Sequence, residues 1–99
     1  MSEEDKKVGR RLVQLIRQVN TEADREEYVT IFFQIGQMGQ VRNDLMEVLN
    51  HRDGPYYGRA LYTYNGVNLY LQVREIPQVL ALLVRSGFQV YSVYEVYEP

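Results

Sequence analysis

The residues able to do chemistry in this chain are few, and they are aromatic and cationic rather than nucleophilic. His51 is the only histidine and cysteine is absent, which removes thiolate nucleophiles, disulfides and thiolate metal sites. His51 falls near a predicted helix C-terminus, where an imidazole more readily caps than catalyses. No serine–histidine–aspartate spacing and no metal-ligand spacing occurs. The carboxylates cluster at Glu3, Glu4 and Asp5 and again at Glu22, Asp24, Glu26 and Glu27, as solvated charge on helix and turn surfaces does. The expectation is a protein that is not an enzyme and uses no metal and no cofactor. What remains is Phe32 and Tyr70 at strand positions with Arg59 and Arg74 beside them, a set that could stack unpaired bases and contact phosphates. Arg10 and Arg17, on the basic side of a predicted first helix, could add phosphate contacts. A net charge of −2 confines any such site to a local patch.

Those residues need elements to position them. Val8, Leu12, Leu15, Ile16 and Val19 form one apolar stripe, which predicts an amphipathic helix over 1–20. Residues 28–35 alternate, with Val29, Ile31, Phe33 and Ile35 on one face and Tyr28, Thr30, Phe32 and Gln34 on the other. Gly36-Gln37-Met38-Gly39 breaks that strand, and a helix over 40–51 follows with Val41, Leu45, Val48 and Leu49 inward. Asn65-Gly66 between two alternating runs predicts a two-residue type I′ hairpin pairing Tyr64 with Val67, Tyr62 with Leu69 and Ala60 with Leu71. Pro77 and Gly87 bracket a helix apolar enough to be deeply buried. A last strand runs from Phe88 to Tyr97, with Tyr91, Val93 and Tyr97 on the face away from Val90, Tyr94 and Val96.

The order is a helix followed by β-α-β-β-α-β, a split βαβ, ferredoxin-like pattern of the α+β class with a four-stranded antiparallel sheet. Ninety-nine residues with 45% hydrophobic and 24% charged content fit one globular domain, with the added helix at 1–20 and the core at 28–97. The longest apolar run, Val79 to Val84, is too short to span a bilayer. The first residues lack an apolar signal core. No membrane association and a cytoplasmic location are the expectation.

Two helices can cover one face of such a sheet. The stripe of Val8, Leu12, Leu15, Ile16 and Val19 and the second sheet face, with Tyr28, Phe32, Leu61, Tyr70, Tyr91 and Val93, are then left over. Burying each large side chain is worth ~1.5–3 kcal/mol, so both surfaces call for a cover. The first helix across its own sheet, a second copy making a homodimer, and a bound ligand are the three candidates. Ile31-Phe32-Phe33-Gln34-Ile35 resembles the short aromatic motif of RNA-recognition-motif domains, which implies Phe32 and Tyr70 as stacking residues; the longer motif of that family is absent from Val67 to Arg74. Leu82 to Val90 resembles the last helix and strand of ACT-type sensor domains. That resemblance implies a ligand loop at Gly36, Gln37 and Gly39, although the acidic residue and Pro-Gly of those loops are missing.

The whole chain, without cysteine and with tyrosine-rich valine strands and Glu/Arg-rich helices, resembles small orphan proteins of filamentous viruses infecting hyperthermophilic archaea. That resemblance implies a thermostable protein acting in the host cytoplasm or in virion assembly, with a host protein or nucleic acid as partner. The residues themselves point first to a non-enzymatic interaction protein, homodimeric through the surplus apolar surface. A single-strand nucleic-acid binder and a small-molecule sensor are the alternatives.

Overall fold

The computed structural model describes residues 26–97. The expectations for Val8, Arg10, Leu12, Leu15, Ile16, Arg17 and Val19 lie outside the described residues. The chain runs β1 (Tyr28–Ile35), α1 (Met38–Leu49), β2 (Ala60–Thr63), β3 (Gly66–Gln72), a 3-10 turn (Val73–Glu75), α2 (Ile76–Arg85) and β4 (Val90–Val96). The four strands form one sheet in the order β2-β3-β1-β4, and every neighbouring pair is antiparallel. This is an α+β fold with an open sheet and two helices.

The period-2 pattern of β1 decides which face is dry. Ile31, Phe33 and Ile35 share a single buried cluster with Val67, Leu69 and Leu71 of β3 and Val93 of β4. Met38, Leu45 and Leu49 of α1 and Ile76, Val79 and Leu83 of α2 close that cluster from above. The 3.6-residue spacing within each helix brings these side chains onto one stripe. At ~1.5–3 kcal/mol for each large apolar side chain buried, this face is the main source of stability.

The ends of α2 follow its sequence. Pro77 occupies the first turn, where a missing N–H costs nothing. Gly87 has φ +92°. Its N–H donates to the Val84 carbonyl at 3.0 Å while Phe88 N–H donates to the Leu83 carbonyl at 3.0 Å, the paired bonds of a Schellman stop. The expectation of deep burial for the whole helix is corrected. Ile76, Val79 and Leu83 are buried, but Val84 is exposed, because a ten-residue helix on a sheet hides only one stripe.

The hairpin also differs from expectation. Thr63 pairs with Gly66, Tyr62 with Val67 and Ala60 with Leu69, so the loop is Tyr64-Asn65 and the pairing is displaced by two residues from the expected one. Neither loop residue nor Gly66 has positive φ, which excludes a type I′ turn. Gly66 is glycine for another reason. A Cβ there would collide with the Phe33 carbonyl oxygen and lie 3.0 Å from the Phe32 ring. Close approach of β1 to β3 therefore sets the register. A displacement of two keeps every side chain on its face, so the assignment of Leu61 and Tyr70 to the outer side holds.

In β4 the faces are exchanged relative to expectation. Val93 pairs with Phe33 and is fully buried in the core, while Tyr94 pairs with Phe32 on the outer side. The register shifts between Gln34 and Ile35, and this irregularity places Tyr91 over Gly36. Period-2 reading cannot see a bulge, because an extra residue reverses the alternation beyond it.

Candidate interaction surface

The outer face of the sheet carries Tyr28, Thr30 and Phe32 from β1, Asn68 and Tyr70 from β3, Leu61 from β2, and Tyr94 and Val96 from β4, as the pairing registers require. Tyr28 and Tyr70 are diagonal neighbours across β1 and β3 and stack with ring centroids 5.3 Å apart and planes at 28°. Phe32 and Tyr94, directly opposite, sit 5.0 Å apart at 47°. Leu61 is 68% exposed and Tyr70 52%.

Phe32 and Tyr70 thus lie on one face but in different environments. Phe32 is only 6% exposed, enclosed by its strand neighbours, and forms a floor rather than a free stacking plate. Tyr70 is the exposed ring. The sequence pairs them as equals; two residues of diagonal offset and the wall made by Tyr94 separate their roles.

Arg59 is held by the fold at every nitrogen. Its Nε donates to the Tyr70 carbonyl at 2.9 Å, Nη1 to the Pro55 carbonyl at 2.9 Å and Nη2 to Glu75 Oε2 at 2.7 Å. The guanidinium lies 5.2 Å from the centroid of the Tyr28 ring and 5.8 Å from that of Tyr56, within cation–π range. Glu75 in turn accepts from the Gln72 N–H at 2.9 Å. Arg59 is therefore a clamp that fixes the Tyr28–Tyr70 pair. Arg74 is exposed in the 3-10 turn just beyond β3. Burial, reinforced by Glu75 and opposed by Arg59, raises the Tyr56 hydroxyl above its ordinary range, so Tyr56 stays neutral beside the ion pair.

Two shallow grooves flank the aromatic ridge. One, of about 330 Å³, has Thr30, Leu61, Asn68, Tyr70 and Val96 in its lining. The other, of about 470 Å³ toward the hairpin tip, has Phe32, Tyr64, Asn68, Tyr94 and Val96. Asn68 borders both, and its Oδ1 is buried without a hydrogen-bond partner. Sequence reasoning missed Asn68, Tyr94 and Tyr56. An asparagine inside a strand run was the available signal, since that residue type is disfavoured there.

The loop of Gly36, Gln37 and Gly39 is built for packing. Gly36 leaves no room for a Cβ, which would fall 2.6 Å from the Tyr91 ring, and its N–H donates to the Gln89 carbonyl at 2.9 Å. Gln37 takes a left-handed conformation, φ 58° and ψ 40°, ahead of α1. Gly39 lies inside the first turn of α1 in open space. His51 lies past α1, and its Nδ1 accepts from the Asp53 N–H at 3.3 Å. It shapes the Asp53-Gly54 turn instead of capping the helix.

Among the described residues no three or more His, Asp or Glu side chains are grouped to hold a metal ion, and no helix is long and apolar enough to cross a membrane. Comparison of the chain with protein-family models, curated proteins and solved structures gives no match.

Proposed function

We propose that this chain is a non-enzymatic interaction module of the ferredoxin-like type that makes its contacts through the outer face of its sheet. The strand order β2-β3-β1-β4 with a helix after β1 and another after β3 supports the fold assignment. One observation carries the functional reading: Tyr28, Leu61, Tyr70 and Tyr94 are exposed together on one sheet face, while the opposite face is closed by both helices. Contiguous exposed apolar surface of this kind marks interaction sites. Tyrosine is enriched in such sites because its ring gives area and its hydroxyl tolerates water.

The reading is tested with a soluble paramagnetic probe and the isotope-labelled full chain at high dilution. Signals of Tyr28, Leu61, Tyr70 and Tyr94 broaden if the face is open to partners. If they stay sharp while Val84 broadens, the chain covers the face itself and the reading is wrong.

Single-stranded nucleic acid is the second reading, favoured by the exposed Tyr28–Tyr70 stack. Arg59 commits three of its five N–H donors within the fold, and Arg74, exposed just beyond β3, is the freer cation to meet phosphate. This reading requires salt-sensitive binding of oligo-dT that Tyr70→Ala abolishes; the preferred reading expects no binding even at low salt.

A further inference from the structure

We infer that the occupant of the outer sheet face is a second copy of this chain, packed sheet against sheet about a two-fold axis. The inference rests on the reading of that face as the contact surface and names its partner.

The sheet edges are poorly suited to pairing. Edge strand β2 has four residues. Edge strand β4 turns Glu95 toward the core side, opposite Ile31. Short edges and inward-pointing charges both discourage strand addition. The face has no such protection.

Its size suits a small dimer. Tyr28, Leu61, Tyr64, Tyr70 and Tyr94 are all substantially exposed. With large aromatic side chains offering ~150–250 Å² each, the patch amounts to roughly 500 Å² per copy. Two such patches bury about 1,000 Å², the lower bound of a specific interface.

Its charge suits a copy of itself. Among the described residues the strand positions of this face are uncharged, and Arg59, just before β2, is paired with Glu75 at 2.7 Å. Two neutral faces meet without like-charge repulsion. A polyanion finds little to bind, and a strongly charged partner finds nothing complementary.

Its shape suits a two-fold axis. The Tyr28–Tyr70 ridge stands toward one end of the strands, and the groove lined by Phe32, Tyr64 and Tyr94 lies toward the hairpin tip at the other. An axis between the sheets and across the strands reverses strand direction. It sets the ridge of each copy over the groove of the other, as an isologous contact demands.

The test uses the full chain carrying a photoreactive benzophenone amino acid at position 61, together with sedimentation equilibrium over a wide concentration range. The expected result is a reversible dimer of twice 11.7 kDa, with cross-links joining two copies at the outer face. Leu61→Glu and Tyr70→Glu each weaken association by at least about tenfold with the circular dichroism spectrum retained, while Val84→Glu on α2 does not. If either glutamate variant loses its fold, the cross-link pattern of the otherwise native chain decides. A monomer at every concentration, or a dimer indifferent to both face substitutions, overturns the inference. A monomer whose position 61 cross-links only to residues 1–25 of its own chain overturns the contact-surface reading as well. A monomer that binds oligo-dT through the face overturns the second copy and replaces the preferred reading with the nucleic-acid one.

Discussion

Arg59 and Tyr70 hold one another by two reciprocal hydrogen bonds: Tyr70 N–H donates to the Arg59 carbonyl at 3.0 Å, and Arg59 Nε donates to the Tyr70 carbonyl at 2.9 Å. The first bond extends the β2–β3 ladder; the second ties a side chain into it. With Glu75 on Nη2 and the Tyr28 ring against the guanidinium, the exposed tyrosine pair is ordered before any partner arrives. Preorganisation of this kind lowers the entropy lost on association.

Arg59→Ala therefore acts twice. Both partners of the Arg59–Glu75 pair are 21% exposed, and truncation leaves Glu75 in a partly desolvated site. A loss of about 2–3 kcal/mol in urea unfolding is expected. Arg59→Lys restores the charge without the planar fork and recovers less than half of that loss. Glu75→Gln in the Arg59→Ala background adds little further loss, and this non-additivity measures the pair.

Two glycines separate close approach from turn chemistry. At Gly66 a Cβ would collide with the Phe33 carbonyl, which is backbone and cannot swing aside. Gly66→Ala is expected to destabilise by about 3 kcal/mol, at the upper end of overpacking costs. At Gly39 nothing lies within 4 Å of the added carbon, and Gly39→Ala in α1 is expected to stabilise by ~0.5–1 kcal/mol. Chemical denaturation of the two variants side by side checks both signs.

That pair also shows what was legible in the sequence. The glycine at position 66 marked the hairpin, and alternation placed Leu61 and Tyr70 on the outer face correctly. The reason for the glycine was invisible, because it depends on β1, a strand more than thirty positions away in the chain. Helix α2 was legible at both ends, since Pro77 and Gly87 act locally. The β4 faces were not, because the irregularity between Gln34 and Ile35 belongs to a pairing and not to either strand alone. At the candidate site, residue type alone makes Tyr70 and Arg59 neighbours of one ligand. Their mutual bonding makes Arg59 a support for the tyrosine, a role that residue type alone does not distinguish.

Tyr62 supplies a pH test on the core side. Its hydroxyl is buried without a partner, and burial raises its pKa above the ordinary 10.0. The folded chain thus holds this proton more tightly than the unfolded chain does. The associated stability is complete below about pH 10 and is lost as pH rises through the folded value. Tyr62→Phe removes an unsatisfied hydroxyl, which is expected to stabilise the neutral-pH protein by about 1 kcal/mol. The variant should also lose stability less steeply in alkali, the remaining slope coming from groups such as Tyr56 that share the same sign. Urea midpoints measured at pH 7 and at several alkaline pH values report both effects.

Asn68 poses the sharpest question on the outer face. Its Oδ1 is buried and unpartnered between the two grooves, in the middle of a strand that disfavours asparagine. Asn68→Val removes the orphaned acceptor and supplies a β-branched side chain, so the dilute chain is expected to gain about 1 kcal/mol in urea unfolding. Asn68→Asp keeps the shape and introduces a carboxylate where desolvation favours the neutral form. Its folded pKa is then raised above the ordinary ~3.9. The aspartate variant should match the parent at acid pH and fall behind it as pH rises through the unfolded and then the folded value. An aspartate variant as stable as the parent at neutral pH would show that the site is wetter than its geometry implies. A valine variant less stable than the parent would show that the amide has a partner in solution. With both expectations met, Asn68 is a polar group kept at a cost to the fold, and a cost borne at the centre of an exposed aromatic face points to association as the reason it is kept.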